Sequence, residues 1–140
     1  MTKRRTVLTI GTFDLLHYGH VDFLQIVASL GKNLTVGVNT DEFVASFKRP
    51  PTMSLEERIY ALGQHGYLTM PNASAGRDLI EAAEPGILAV GSDWARKDYL
   101  SQINCTQDWL DKRRIVLAYV PYVHFKQIST TEILRRVKQQ

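Results

Sequence analysis

The chain has 140 residues, of which 44% are hydrophobic and 22% are charged, and its formal net charge is +3. This length and composition predict one globular domain spanning residues 1–140 and exclude a largely disordered chain. No apolar run approaches the roughly 20 residues that a membrane helix needs, and the charged first residues lead into a strand instead of a signal-peptide core. We therefore expect a cytoplasmic protein without membrane insertion.

The cysteine content and the positive charge narrow the classes of partner. Cys105 is the single cysteine, which excludes an intramolecular disulfide and agrees with a reducing compartment. The basic clusters Lys112–Arg114 and Arg135–Arg136 lack the interleaved aromatic residues of a groove that binds single-stranded nucleic acid. We expect these clusters to be solvated helix ends, and we expect no nucleic-acid partner. A polyphosphate ligand would also suit the positive charge.

Strands and helices are predicted to alternate from the start of the chain. The β-branched stretch Thr6–Ile10 predicts a strand, and apolar residues at three- and four-residue spacing predict a helix over Val21–Leu30. The pattern continues with a strand at Leu34–Val38, a helix at Ser54–Gln64 and a strand at Gly66–Met70.

The second half of the chain repeats this alternation. The predicted elements are a helix at Ala75–Ala83, a strand at Ile87–Val90, a helix at Thr106–Lys112, a strand at Val116–Val120 and a helix at Thr130–Val137. Strand-helix alternation predicts an α/β fold: a single doubly wound domain whose parallel sheet is flanked by helices on both faces.

Four stretches follow predicted strands and are candidates for a binding crevice. They are Gly11–His20, Asn39–Asp41, Gly91–Trp94 and Pro121–Thr131. In doubly wound folds ligands bind beyond the carboxyl ends of the strands, so we expect these stretches to converge.

The first of these stretches indicates a phosphate site. His17 and His20 are three residues apart, and if the helix begins near Tyr18 both imidazoles lie toward its N-terminal end. That end carries unpaired N–H groups and partial positive charge, and Gly19 lets an anion approach the backbone without a clash. A zinc site is not predicted, because no nearby cysteine or His-Glu pattern supplies further ligands.

The stretch Gly11–His20, which reads Gly-Thr-Phe-Asp-Leu-Leu-His-Tyr-Gly-His, resembles the His-x-Gly-His signature of the nucleotidyltransferase superfamily. It is most similar to the cytidylyltransferase branch, in particular to glycerol-3-phosphate cytidylyltransferases. Further segments follow in the order of that family: Lys48 and Arg58 flanking Met53–Glu57, then Gly91–Trp94, then Ile128–Thr131. The resemblance spans nearly the whole chain and implies the Rossmann-like nucleotidyltransferase fold.

The activity that this resemblance implies is transfer of CMP from CTP to a small phosphorylated alcohol. Glycerol 3-phosphate is the predicted acceptor, and the products are CDP-glycerol and pyrophosphate. Leu134 stands where many adenylyl-transferring relatives have an arginine, which favours CTP over ATP. The resemblance also implies Mg²⁺, bound with the triphosphate, and a homodimer.

Two alternatives stay open. One is cytidylyl or adenylyl transfer to another acceptor, such as phosphoethanolamine, phosphocholine or a sugar phosphate. The other is a catalytically weak nucleotide-binding protein, because His124–Gln127 replaces the Arg-Thr-Glu-Gly segment of the glycerol-3-phosphate enzymes. His124 or Lys126 is a candidate substitute for the missing arginine.

The resemblance implies roles for individual residues. It assigns catalysis to His17, His20, Lys48 and Arg58. It assigns nucleotide or phosphate binding, through mainly backbone groups at the first two positions, to Thr12, Phe13, Asp14, Gly19, Gly91, Asp93, Trp94, Ser129 and Thr130. No metal ligand is assigned.

Several of these residues have a structural alternative. Asp14 is expected either to anchor its turn by accepting backbone hydrogen bonds or to orient phosphate-binding groups or Mg²⁺. Arg58 either reaches phosphate or pairs with a carboxylate such as Asp41. Trp94 either contacts the nucleotide base or packs in the core. Ser129 is also a candidate helix N-cap.

Overall fold

Five parallel strands form one sheet in the computed structural model, which describes residues 5–121. The strands are β1 Thr6–Gly11, β2 Lys32–Asn39, β3 Leu68–Asn72, β4 Ile87–Gly91 and β5 Val116–Val120. Their order across the sheet is β3-β2-β1-β4-β5, and every pairing is parallel. The predicted doubly wound α/β fold is confirmed.

Helices connect these strands within the described residues. They are α1 Tyr18–Ser29, α2 Asp41–Ala45, α3 Leu55–Gln64, α4 Arg77–Ala83, α5 Tyr99–Gln102 and α6 Gln107–Lys112. A short 3-10 helix covers Ser92–Arg96, immediately after β4. Within residues 5–121, no helix has the length and apolar character needed to cross a bilayer.

The sheet is buried on both faces, as successive residues of β1 show. Val7 packs with Phe23 and Leu24 of α1 on one face, whereas Leu8 packs with Ile80 of α4 on the other. Because side chains alternate along a strand, neighbouring apolar residues of a doubly covered sheet enter opposite cores. The strand order reverses between β1 and β4, and such a switch point leaves a crevice beyond the carboxyl ends of the strands.

Two predicted boundaries move for local reasons. Helix α1 begins at Tyr18 and not at Val21, because His17 supplies its N-terminal cap. Strand β3 begins two residues later than the predicted Gly66–Met70, because Gly66 has a φ of +83° and its N–H donates to the carbonyl of Gly63, forming a turn.

Three short elements were not predicted: α2, α5 and the 3-10 helix. Four or five residues are too few to show an apolar repeat of 3.6 residues. The predicted helix Thr130–Val137, the candidate binding residues Ser129 and Thr130, and the stretch Pro121–Thr131 after its first residue lie outside the described residues.

Candidate functional site

An open cleft of about 460 Å³ lies where the strand order reverses, beyond the carboxyl ends of β1, β2 and β4. The predicted site residues that line it are Thr12, Phe13, Asp14, His20, Lys48, Gly91, Asp93 and Trp94. Three of the four predicted convergent stretches therefore meet here as expected. His17, Gly19 and Arg58 are not in the lining of the cleft.

The two histidines form the N-terminal cap of α1. His17 Nδ1 accepts from the backbone N–H of Gly19 at 3.1 Å, and His20 Nδ1 accepts from the backbone N–H of His17 at 3.2 Å. This is the reciprocal arrangement of a capping box, with imidazoles in place of the usual hydroxyl and carboxylate. The rings stack with their centroids 4.0 Å apart. The cap therefore fixes the position and orientation of both rings.

These bonds also determine which ring nitrogen carries the proton. In each ring Nδ1 acts as an acceptor, so the neutral imidazole holds its hydrogen on Nε2. His17 Nε2 is buried, and no residue in the part of the chain that the structure describes is a hydrogen-bond partner for it. His20 lies at the cleft, with Phe13 edge-on to its ring at a centroid distance of 5.7 Å. Both rings are set up as Nε2–H donors.

The surroundings keep the histidines neutral. The pKa of His20 is lowered to about 3, mainly by desolvation on burial and also by the nearby His17, while Asp14 opposes the shift. Burial also lowers the pKa of His17. At neutral pH both rings are therefore uncharged.

This shift predicts a loss of stability in mild acid. The His20 pKa is lower in the folded chain than the ordinary value of 6.5, so the unfolded chain binds more protons as pH falls from about 6.5 toward 3. Each pH unit in this window removes up to about 1.4 kcal/mol. We expect the unfolding free energy to fall between pH 7 and pH 5 by about 2 kcal/mol more in the wild type than in His20→Gln. Urea denaturation at the two pH values measures it, and equal decreases in both proteins would contradict the burial of a neutral His20.

The turn between β1 and α1 has a strained backbone. Phe13 and Leu15 have φ angles of +54° and +50°, in the left-handed region that residues other than glycine rarely adopt. Asp14, between them, accepts from the backbone N–H of Thr52 at 2.8 Å and of Met53 at 2.9 Å. The predicted anchoring role of Asp14 is thus present, and it joins the turn to the segment after Lys48.

Arg58 is fully buried beneath the cleft. Its guanidinium donates to the carbonyls of Met53 at 3.1 Å and of Thr12 and Asn39 at 2.8 Å each, and Nη2 pairs with Asp41 Oδ1 at 2.6 Å. The predicted alternative pairing with Asp41 is therefore present. A direct contact of Arg58 with phosphate would require some of these bonds to break.

Positive charge lines the cleft at one end. Lys48 and Arg49 contribute to its wall. Desolvation lowers the pKa of Lys48, and Arg49 and Arg58 lower it further while Asp14 opposes them. The Lys48 Nζ lies 5.8 Å from the centre of the Phe47 ring. This lysine is placed to meet an anion in the cleft.

The other end of the cleft is aromatic and polar. Trp94 meets Tyr99 edge-on at a centroid distance of 5.5 Å, and Lys97 Nζ lies 5.2 Å from the Trp94 ring. Asp93 and Gln102 also line this end. Burial raises the pKa of Tyr99, so its hydroxyl stays protonated. Trp94 packs on the core residue Tyr99, as its structural alternative predicts, and also lines the cleft; its contact with a nucleotide base stays a prediction.

The sequence reasoning missed several cleft residues. Phe43 and Phe47 form an aromatic pair in the wall, with ring centroids 5.1 Å apart. Their four-residue spacing is a helix-face signal, but α2 is too short to be predicted. The sequence places Asn39 only within a stretch after a strand, and no local pattern marks its buried partner Asn72.

Among residues 5–121, no group of three or more His, Cys, Asp or Glu side chains is placed to hold a metal ion.

Comparisons with known proteins agree on one family. The model of the family described as cytidylyltransferase-like matches residues 8–136. The bifunctional protein HldE of Magnetococcus marinus is 33% identical over 141 residues, covering 97% of this chain and 28% of that protein. HldE of Vibrio cholerae is 32% identical over 142 residues, covering 96% of this chain and 28% of that protein. The chain thus spans little more than a quarter of the length of these relatives.

A solved structure shows the same fold. The lipopolysaccharide core biosynthesis protein from Thermoplasma volcanium superposes with a TM-score of 0.68 at 21% identity, covering 88% of this chain and 99% of that one. The predicted resemblance is confirmed at the level of the family, whereas these relatives are HldE proteins and not glycerol-3-phosphate cytidylyltransferases. With nearly its whole length matched, the chain belongs to the cytidylyltransferase-like family of nucleotidyltransferases.

Proposed function

We propose that this chain transfers a nucleoside monophosphate from a nucleoside triphosphate to a phosphate monoester and releases pyrophosphate. The observation that carries the proposal is the histidine capping box, which holds two Nε2–H donors at the N-terminus of α1, with His20 at the cleft. Fixed donors at a helix N-terminus suit an α-phosphate that gains charge in the transition state.

In the proposed reaction an oxygen of the acceptor phosphate attacks the α-phosphorus of the triphosphate. The bond between the α-phosphorus and the oxygen that bridges it to the β-phosphate breaks, and its electron pair leaves with pyrophosphate. The acceptor is already an anion near neutral pH, because the second pKa of a phosphate monoester is about 6. No general base is needed, so the site must align two anions and stabilise the charge that develops.

The residues in and around the cleft divide this work. We propose that His17 and His20 donate to the α-phosphate and the departing pyrophosphate and that Lys48 supplies positive charge. Asp14 is committed to two backbone N–H groups, so we propose that Mg²⁺ enters with the triphosphate as part of the substrate. Arg58 holds the carboxyl ends of β1 and β2 in place.

CTP and glycerol 3-phosphate are the first substrates to test. A sugar phosphate, with CTP or ATP, is the second candidate acceptor. One observation supports it: Asp93 and Gln102 line the cleft and offer carboxylate and amide groups to the hydroxyls of an acceptor. Residues 1–140 are proposed to act as one domain, and the predicted homodimer stays a proposal that light scattering tests.

A screen of CTP and ATP against four acceptors tests the function. The acceptors are glycerol 3-phosphate, a sugar phosphate, phosphocholine and phosphoethanolamine, and pyrophosphate release is the readout. We expect one pair to give release that depends on both substrates and is lost in His20→Gln. Equal release with and without an acceptor would indicate hydrolysis of the triphosphate and contradict nucleotidyl transfer. No release with any pair would contradict transfer to these acceptors and favour the nucleotide-binding alternative.

Lys48 is expected to bind triphosphate as part of a closing loop. It is followed by Arg49, Pro50 and Pro51, and the two prolines exclude a helix here. Lys48→Met should weaken triphosphate binding roughly tenfold, because a charge-assisted hydrogen bond is lost, and should leave the thermal midpoint unchanged. Titration calorimetry measures the affinity.

The matched control is Lys32→Met, at the amino end of β2, which should change neither quantity. Cleavage after Lys48 in limited tryptic proteolysis should also slow when the triphosphate is present. Unchanged affinity in Lys48→Met, together with equal cleavage with and without nucleotide, would mean that Lys48 is only a solvated surface residue.

A further inference from the structure

A line of amide side chains crosses the carboxyl ends of β3, β2 and β1. Asn72 ends β3 and Asn39 ends β2, and these side chains are buried, with exposures of 2% and 8%. Asn72 Nδ2 donates to Asn39 Oδ1 at 2.9 Å and to the carbonyl of Ser74 at 2.7 Å. Asn39 Nδ2 in turn donates to Thr12 Oγ1 at 3.5 Å. We call Asn72 and Asn39 the amide relay.

The direction of this relay is fixed by its far end. The Ser74 carbonyl can only accept, so the atom of Asn72 that faces it is the NH₂ group. The second hydrogen of that group points to Asn39, which must therefore present its oxygen. The NH₂ group of Asn39 is left to face Thr12.

A hydroxyl can donate and accept hydrogen bonds, and the contact with Asn39 makes the Thr12 oxygen an acceptor. The hydroxyl hydrogen of Thr12 must therefore be donated elsewhere. Thr12 and Asn39 both line the cleft, and no hydrogen bond donated by the Thr12 hydroxyl occurs within residues 5–121. The Thr12 backbone is held separately, because Arg58 Nη1 donates to its carbonyl at 2.8 Å.

We propose that the amide relay sets the Thr12 hydroxyl as a hydrogen-bond donor to a phosphate oxygen of the bound nucleoside triphosphate. Asn39 and Asn72 are then positioning residues that act through Thr12. A donor whose direction is set before the ligand arrives needs no reorganisation when it binds. The inference rests on the proposed function and adds a side-chain role to Thr12, which was expected to contribute mainly backbone groups.

Calorimetry with CTP and with ATP tests the donor itself. Thr12→Val keeps the shape of the side chain and removes the hydroxyl, so the dissociation constant of the tighter-binding nucleotide should rise about tenfold. Thr12→Ser keeps the hydroxyl and should stay within about threefold of the wild type. Equal affinities of Thr12→Val and the wild type would overturn the proposal.

A double-mutant cycle tests whether Asn39 acts through Thr12. Asn39→Ala should weaken nucleotide binding in the wild type and have no further effect in the Thr12→Val background, because the donor it orients is already gone. Asn72→Ala, at a residue outside the cleft lining, should behave in the same way. If Asn39→Ala instead raised the dissociation constant by the same factor in both Thr12 backgrounds, Asn39 would contact the nucleotide directly. That result would overturn the relay.

Measurements of thermal stability separate a purely structural role of Asn39 and Asn72 from a role in nucleotide binding. Asn39→Ala and Asn72→Ala are expected to lower the thermal midpoint in both Thr12 backgrounds, whereas their effect on affinity should depend on the background. Asn33→Ala, at the exposed amino end of β2, is the matched control and should leave affinity unchanged. Stability losses without any background-dependent change in affinity would overturn the proposal.

The same proteins separate this inference from the proposed function. A wild type that binds a triphosphate and shows the coupled effects, yet releases no pyrophosphate with any acceptor, would support the relay and contradict the transferase. A wild type that releases pyrophosphate but shows no coupling between Asn39 and Thr12 would support the transferase and contradict the relay. A wild type that binds neither CTP nor ATP would contradict both.

Discussion

Replacing His20 with glutamine is expected to lower the rate of pyrophosphate release by roughly 10²–10³-fold, the cost of losing one preorganised donor to a developing charge. Glutamine is itself a favoured capping-box residue at this helix position, so its side chain can still accept from the backbone N–H of His17. The helix start is preserved, whereas the imidazole Nε2–H donor at the cleft is replaced by an amide N–H₂ group that does not occupy the same position. Steady-state kinetics with the best substrate pair measures the effect.

His17→Asn should lower the rate by a similar factor for the same reason. Asparagine is a good N-cap, so it keeps the acceptor for the N–H of Gly19, whereas His17→Ala loses the cap as well and should destabilise the protein by roughly 0.5–2 kcal/mol. The control is His65→Gln, at the exposed C-terminal end of α3, which should leave rate and stability unchanged. Near-normal rates in His20→Gln and His17→Asn would remove the histidines from the mechanism.

Arg58→Met is expected to be the most destabilising single substitution considered, at roughly 3–5 kcal/mol. It leaves three carbonyls and the Asp41 carboxylate without the donor that they share. The unfolding free energy of a domain is roughly 5–15 kcal/mol, so this substitution removes a large fraction of it. Urea denaturation measures the change.

Arg58→Lys should also lose several of these bonds, because one ammonium cannot replace a planar fork of donors. Arg96→Met, at an exposed position after β4, is the matched control and should change stability by less than roughly 0.5 kcal/mol. If Arg58→Met folded with wild-type stability but lost turnover, Arg58 would be a phosphate ligand and not the structural clamp described above.

The order of elements and the location of the site were within reach of sequence reasoning. Alternating strand and helix patterns identified all five strands, and the position of Gly11–His20 after a strand located the turn that lines the cleft. Both depend on local spacing, which the sequence displays directly. The C-terminal candidates Ser129 and Thr130 stay predictions.

The contacts that organise the site were beyond that reasoning. Arg58 donates to residues between 5 and 46 positions away, and the amide relay joins residues 27 and 33 positions apart. Such pairs appear only when the ends of β1, β2 and β3 lie side by side. The capping of α1 by Nδ1 of both histidines likewise depends on backbone geometry.

Isotope transfer from the acceptor is the most direct test of the central claim, that an acceptor phosphate oxygen attacks the α-phosphorus. The acceptor monoester is labelled with ¹⁸O on its phosphate, and the products of a single incubation with the triphosphate are weighed by mass spectrometry. The account predicts that all of the label is in the nucleoside diphosphate-linked product and that pyrophosphate carries none. Label in pyrophosphate, or a nucleoside monophosphate as the nucleotide product, would contradict it.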